Sequence, residues 1–243
     1  MADFFRLIFI QPMFNLLVGL TNVLPGSDLG LAIIVLTIGV RCIFLPLTLR
    51  AHKSQKALSE LQPLIKAVQD KHKGDQQKIG KEMMDLYKKH GVNPLSGCLP
   101  LLIQLPVVIA LYRALLWSFQ SDKLNTLYSF VHNPGVVPHI AFGFLDLSQK
   151  SPSLAVLAGG LQFIHSRIAM RSQSVTDPKS PTAQMSRQMM FMLPVMILFI
   201  SWSLPAGLAL YIVVSTLFSL FEHWLSRRSH NAGTAGLAIE PSK

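Results

Sequence analysis

LGLAIIVLTIGVRCIFLPLTL, Leu29 to Leu49, is the stretch from which the fold is read. At about 1.5 Å per helical residue it spans a bilayer core of roughly 30 Å. It is apolar almost throughout, yet Arg41 stands past its middle. The rise places that guanidinium's backbone about 18 Å beyond Leu29 and about 13 Å short of Arg50, further than snorkelling comfortably covers. An Arg near the bilayer centre costs at least ~2.5–3.5 kcal/mol on insertion scales. No Asp or Glu stands at a similar depth elsewhere in the sequence, so Arg41 is expected to lack an internal counter-ion. A water-filled cavity facing into a helical bundle is then the least costly surrounding. The other reading is a tilted helix whose Arg reaches the headgroups.

Composition agrees with a polytopic membrane protein. Half the residues are hydrophobic, 14% are charged and the mean hydropathy is +0.41. The net charge of +10 would suggest a nucleic-acid partner in a soluble protein, but here its distribution matters more. Cys42 and Cys98 lie in or beside apolar stretches, so neither a disulfide framework nor a zinc site is implied.

Outward from the first span, Phe4 to Leu20 is apolar but broken by Arg6, Gln11, Pro12 and Asn15. An interfacial helix is expected over 1–27, with a short extra span or a signal peptide as weaker fits. Residues 50–93 are hydrophilic. Leu58, Leu61, Ile65 and Val68 form one amphipathic seam; Ile79, Met83, Leu86 and Tyr87 form a second. Pro63 marks a kink or a later helix start, Asp75 is an N-cap and Gly91 a C-cap, so a basic helical hairpin is expected. A second span is expected over 94–119, a polar loop over 120–153, a third span over 154–170 and another loop over 171–187. Met189 to Phe221 carries no charge and is too long for one span, about 50 Å. A break at Ser203–Gly207 makes 188–226 a two-span hairpin, leaving 227–243 as a tail. The expected class is all-α, a five-span bundle.

Lysine and arginine fix the expected orientation. With the 50–93 hairpin in the cytosol, the outer segments hold only Arg6, Lys123 and Lys150 of the 22 Lys and Arg. The N-terminus is then outside and the C-terminus cytosolic.

Thr37 and Arg41 share one helix face, and Tyr211, Ser215 and Ser219 form an i, i+4, i+8 polar stripe. Gln104 and Gln162 place one neutral polar group each in the second and third spans. Singly, each is glue between helices, worth ~0.6–2 kcal/mol. Together with Arg41 they read as the lining of a hydrated groove. Gly74 to Glu82, GDQQKIGKE, resembles a phosphate loop but has the wrong glycine spacing and no Ser or Thr after Lys81. No nucleotide, metal or other cofactor is expected. His165 has no Ser, Cys or Asp constellation and reads as structural.

NPLSGCLPLLIQLPVVIALYRAL (Asn93 to Leu115) and LPAGLALYIVVST (Leu204 to Thr216) resemble the second core span and closing hairpin of the YidC/Oxa/Alb family of membrane protein insertases. The resemblance runs from about Phe4 to Arg228, to a short bacterial form without a large extracytoplasmic domain. It implies a cell-membrane protein with a positively charged groove, open to cytosol and lipid and closed on the outer side. Arg41 falls at the family's groove arginine, Gln104 and Gln162 in the spans that line it, and Trp202 near the closing turn. It also implies client membrane proteins and the lipid bilayer as partners. The Sec translocon, and ribosomes or targeting factors meeting the basic hairpin, are further partners in its terms.

The expected mechanism involves no enzyme chemistry. Arg41 attracts a polar or acidic client segment while the client's apolar helix partitions into lipid. A small-solute transporter or channel is the rival reading, but no inverted repeat supports it. An assembly chaperone without insertion activity fits the same sequence.

Overall fold

In the computed structural model, residues 2–72, 74–93, 99–171 and 181–235 are described. The start of the expected second span (94–98, with Cys98), most of the loop after the third span and the end of the tail lie outside the described residues.

The chain is helical nearly throughout. An N-terminal helix runs through α1 (Ala2–Phe5), a π turn (Arg6–Ile10) and α2 (Gln11–Val23). It is followed by α3 (Leu29–Glu60), α4 (Gln62–Lys71), α5 (Gln76–Lys89), α6 (Leu99–Ser118), α7 (Pro152–Arg171), α8 (Pro181–Ser203) and α9 (Ala206–Ala235). Asp3–Val23, Leu29–Glu60 and Ala206–Ser226 are each long and apolar enough to cross a membrane. Leu102–Ser118 and Met190–Ser203 are shorter apolar helices. The protein is an all-α polytopic membrane protein.

Local chemistry sets the boundaries. Asp28 caps α3, its Oδ1 accepting the N–H groups of Gly30 and Leu31 at 2.7 and 3.1 Å. The helix does not stop near Leu49 but runs on to Glu60 with Pro46 inside it. RAHKSQKALSE, Arg50 to Glu60, holds no Gly or Pro that would end it. Pro63 then sits in the first turn of α4, where a missing N–H has no intrahelical partner to lose. Asp75 caps α5 through the Lys78 N–H at 3.1 Å. Gly91, at φ +64°, ends α5 while the Val92 N–H bonds back to the Tyr87 carbonyl. Between α4 and α5, His72 and Lys71 lie 2.8 and 3.4 Å from Glu82 Oε1. The hydrogen bond with His72, reinforced by Lys71, holds the Glu82 carboxyl below its ordinary range.

The segment between α6 and α7 is more ordered than a plain polar loop. It contains a 3-10 turn (Ser121–Thr126) and, unexpected from the sequence, two short antiparallel strands, β1 (Ile140–Ala141) and β2 (Leu145–Asp146). Their turn holds Phe142 and Gly143 at φ +54° and +78°. Asp28 makes the non-glycine position tenable, because its Oδ2 accepts the Phe142 N–H at 2.6 Å. One carboxylate thus starts α3 and fastens the β turn above it. Gln11, Asn15 and Asn22 of α2 hold the same segment by its backbone, at Thr126, Tyr128 and His132.

The apolar core gathers at this end of the bundle. Phe14, Leu17 and Val18 of α2 and Leu29, Ala32, Ile33 and Leu36 of α3 meet Leu111, Ala114 and Leu115 of α6 and Leu208 of α9. Leu124, Val137, Ala141 and Leu147 close over them from the loop. α9 begins within this seal: the Ala206 and Gly207 N–H groups donate to the carbonyls of Gln149 and Leu147 at 2.7 and 3.1 Å. A Cβ on Gly207 would lie 2.6 Å from a Leu115 methyl. α7 packs on α8 and α9, and a Cβ on Gly159 would meet Leu198 Cβ at 2.9 Å.

At Gly30 the contact is tightest, since an added Cβ would lie 2.5 Å from Ala141 Cβ and 3.0 Å from the Phe142 ring. Overpacking of that kind costs about 1–3 kcal/mol. Gly30→Ala is therefore expected to lower the thermal midpoint in detergent by several degrees. Gly39→Ala, on the same helix with open space around it, is expected to leave the midpoint unchanged or raise it.

Candidate functional site

Below the seal the residues facing the bundle turn polar. α3 and α9 both begin in the sealed end, so they run side by side in one direction. Their polar contacts keep one register: Arg41 meets Ser215 and Thr48 meets Glu222, seven residues further along both helices. Two helical turns separate one pair from the other, which keeps both pairs on the shared seam.

Arg41 Nε donates to Ser215 Oγ at 3.1 Å, and its Nη2 donates to the same oxygen. Its Nη1 lies 3.6 Å from Glu222 Oε2. Glu222 is 2% exposed and Arg41 17%. Thr48 donates its hydroxyl to Glu222 Oε1 at 2.7 Å, which orients the carboxylate with its second oxygen toward the guanidinium. The expectation of an Arg41 without an internal counter-ion is thus corrected. The charge-free run ends at Phe221, and the next residue supplies the carboxylate. Judged by linear position, Glu222 stands just past the uncharged run, near the end of the expected 188–226 hairpin. An Arg side chain extending along the bundle axis and a helix running in the same direction bring the two charges together.

Most of the remaining candidates fall around this pair. Tyr211, buried, accepts a hydrogen bond from the Gln104 side-chain amide, which joins α9 to α6. Thr37 is buried, with its hydroxyl bonded to the Ile33 carbonyl of its own helix at 2.6 Å. Gln162 Oε1 accepts from Thr216 at 3.4 Å, joining α7 to α9. Ser219 bonds back to the Ser215 carbonyl at 3.1 Å. Trp202, 48% exposed at the end of α8, shares none of these contacts and points outward. Arg41, Ser215, Tyr211 and Gln104 therefore stand on adjoining surfaces of α3, α9 and α6. Gln162 approaches from the α7 side.

Glu222, Thr48, His52 and His223 are not among the residues singled out from the sequence, where His165 reads as structural. The His223 ring centroid lies 4.4 Å from that of His52 and 5.2 Å from that of His165. Among the described residues no group of three or more His, Cys, Asp or Glu has the geometry to hold a metal ion. The heptad register was the available signal: adding seven to Arg41 and to Ser215 lands on Thr48 and Glu222.

The family model described as 60Kd inner membrane protein matches residues 20–233. Similar curated proteins include the membrane protein insertases YidC of Francisella tularensis subsp. novicida (strain U112), subsp. holarctica (strain LVS) and subsp. tularensis (strain SCHU S4 / Schu 4). Each is 38% identical over 205 residues, 84% of this chain and 33% of the relative. The chain spans about a third of the length of the curated relatives it matches.

Removing one member of a buried ion pair leaves the other uncompensated, at about 3–5 kcal/mol, whereas removing both is far milder. Arg41→Gln and Glu222→Gln are each expected to lower the thermal midpoint. The double variant is expected to regain much of the loss. Additive losses in this double-mutant cycle would show that the two side chains do not interact.

Proposed function

The chain belongs to the 60Kd inner membrane protein family, that of the YidC insertases, and from this membership we propose that it inserts client transmembrane segments and assists their folding in the bacterial inner membrane. Its sealed and polar ends carry the reading. The seal built from α2, α3, α6, α9 and the 120–151 segment is the outer end. The Arg41-centred polar seam below it opens toward the cytosol, the side of the basic α4–α5 hairpin. A groove of this kind offers a client's polar segment hydrogen-bonding partners part-way across the membrane while its apolar helix leaves sideways into lipid. No nucleotide is needed, because burial of the client's apolar surface supplies the driving force.

In this reading the spans are α3, α6, α7, α8 and α9, and the N-terminal helix lies along the outer surface. The hydrogen bonds of Gln11, Asn15 and Asn22 support that placement. They hold irregular backbone over eleven residues, about 16 Å of helix. Were the helix to cross the bilayer, that loop backbone would lie at hydrocarbon depth, where irregular backbone facing lipid is not tolerated. Phe4, Leu7, Ile8, Leu16 and Val23, all exposed, then face lipid from the interface. Client membrane proteins and the bilayer are the proposed partners. The basic hairpin, with His72 and Lys71 fastened to Glu82, is the surface for ribosomes or targeting factors, and the Sec translocon is a further partner.

Reconstitution of the purified protein alone into lipid vesicles, with an acidic single-span client, tests insertion directly. Protease-protected client is expected with wild type and is expected to fall at least several-fold with Arg41→Ala. No protection with any of several clients would replace the insertase by a chaperone dependent on another translocase. Protection through a pathway that also passes small solutes would favour a channel.

A further inference from the structure

Every nitrogen of the Arg41 guanidinium already has a partner within the chain. Nε and Nη2 donate to Ser215, and Nη1 faces Glu222. The contact with Glu222, at 3.6 Å, is an ion pair longer than a hydrogen bond. With Nε and Nη2 taken by Ser215, an incoming carboxylate competes for Nη1, the nitrogen that faces Glu222, and there it meets a like charge. The carboxylate does not swing freely, since Thr48 fixes its other oxygen at 2.7 Å and the residue is almost wholly enclosed. The groove's arginine is thus charge-compensated before any client arrives, and its attraction for anionic groups is set by how firmly Glu222 is held.

We propose that Glu222 is a specificity-determining residue, an internal carboxylate that occupies the position of a client's acidic group and narrows the groove's preference for acidic over neutral polar segments. The inference deepens the insertase reading and rests on it. Selectivity here comes from a repulsive element as much as from an attractive one. With Glu222 charged and in place, an acidic segment must compete for Arg41, while an amide or hydroxyl on a neutral segment pays no like-charge cost. Removing the charge without changing the shape exposes the full field of Arg41 to the client. Thr48 is a positioning residue in this scheme, acting through the aim it gives to Glu222.

The test measures binding separately from insertion. The full chain in lipid nanodiscs is titrated with a fluorescent single-span peptide whose hydrophilic end carries two Asp, and with the same peptide carrying two Asn. Glu222→Gln is expected to raise the ratio of Asp-peptide to Asn-peptide affinity by about tenfold, the lower range for a close charge pair at an interface. Thr48→Val should raise it by a smaller factor, and Arg41→Gln/Glu222→Gln should return the ratio to near one. An unchanged ratio in Glu222→Gln overturns the proposal, even where vesicle insertion by the wild type upholds the insertase reading. Should Glu222→Gln fail to fold, Thr48→Val carries the test, and an unchanged ratio there overturns the proposal equally. A raised ratio without insertion activity upholds the role of Glu222 in recognition and removes insertion from the function.

Discussion

The structure depends on how one guanidinium is kept inside an apolar bundle. Arg41 is held by Ser215 on two of its nitrogens and compensated by Glu222 on the third, and Glu222 is aimed by Thr48. All four residues sit on two helices in a seven-residue register. That register requires α3 and α9 to run in the same direction and to start at the same level. Their common start is built by the loop: Asp28 ties the β turn to α3, and the carbonyls of Leu147 and Gln149 tie the loop to the first residues of α9. A slip of one residue at either attachment turns the partner's side chain about 100° away and leaves Arg41 without its contacts.

The two ends of the bundle consequently differ in kind. At the loop end large apolar side chains from five elements are fully enclosed, and glycines at 30 and 207 let backbones approach where a methyl group would collide. Toward the other end, the same helices present Tyr211, Arg41, Ser215, Thr48 and Glu222. Polar groups at that depth are tolerable only where each meets a partner or water. The hydrogen bonds joining α9 to α3, α6 and α7 satisfy several of them within the chain. Ser201 is an exception among the described residues, being fully buried with its hydroxyl unpartnered, and the structure offers no account of it.

Much of this was legible in the sequence because it depends on local chemistry. The caps at Asp75 and Gly91, the restart at Pro63, and the polar stripe on α9 all follow from residue type and helical spacing. The family followed from two long motifs. What escaped notice depended on contact between distant segments. Glu222 follows a long uncharged run and looks like a boundary residue until the reach of Arg41 and the parallel course of α3 and α9 are known. The expected first span closes at Leu49, where the hydrophobic stretch ends, while the helix that carries it runs on to Glu60. A helix stops where its backbone is interrupted, and nothing between Arg50 and Glu60 interrupts it. The β turn at Phe142 was hidden because its positive φ depends on a hydrogen bond to Asp28, more than a hundred residues earlier.

Compensating Arg41 internally also alters what a charged groove can be expected to do. An unpaired guanidinium in a low-dielectric cavity would bind any carboxylate tightly, which favours capture and opposes release. A pair with little net charge presents a weaker field and costs less to keep buried. Under the proposed insertase reading, transfer of a segment into lipid needs this balance: a polar group is received part-way across the membrane and then given up as the apolar helix leaves. Uniformly tight holding lowers the energy of the engaged state and raises the barrier to leaving it, just as tight ground-state binding slows a catalyst. On that reading, the buried Glu222 beside Arg41 keeps the proposed groove polar without making it a trap.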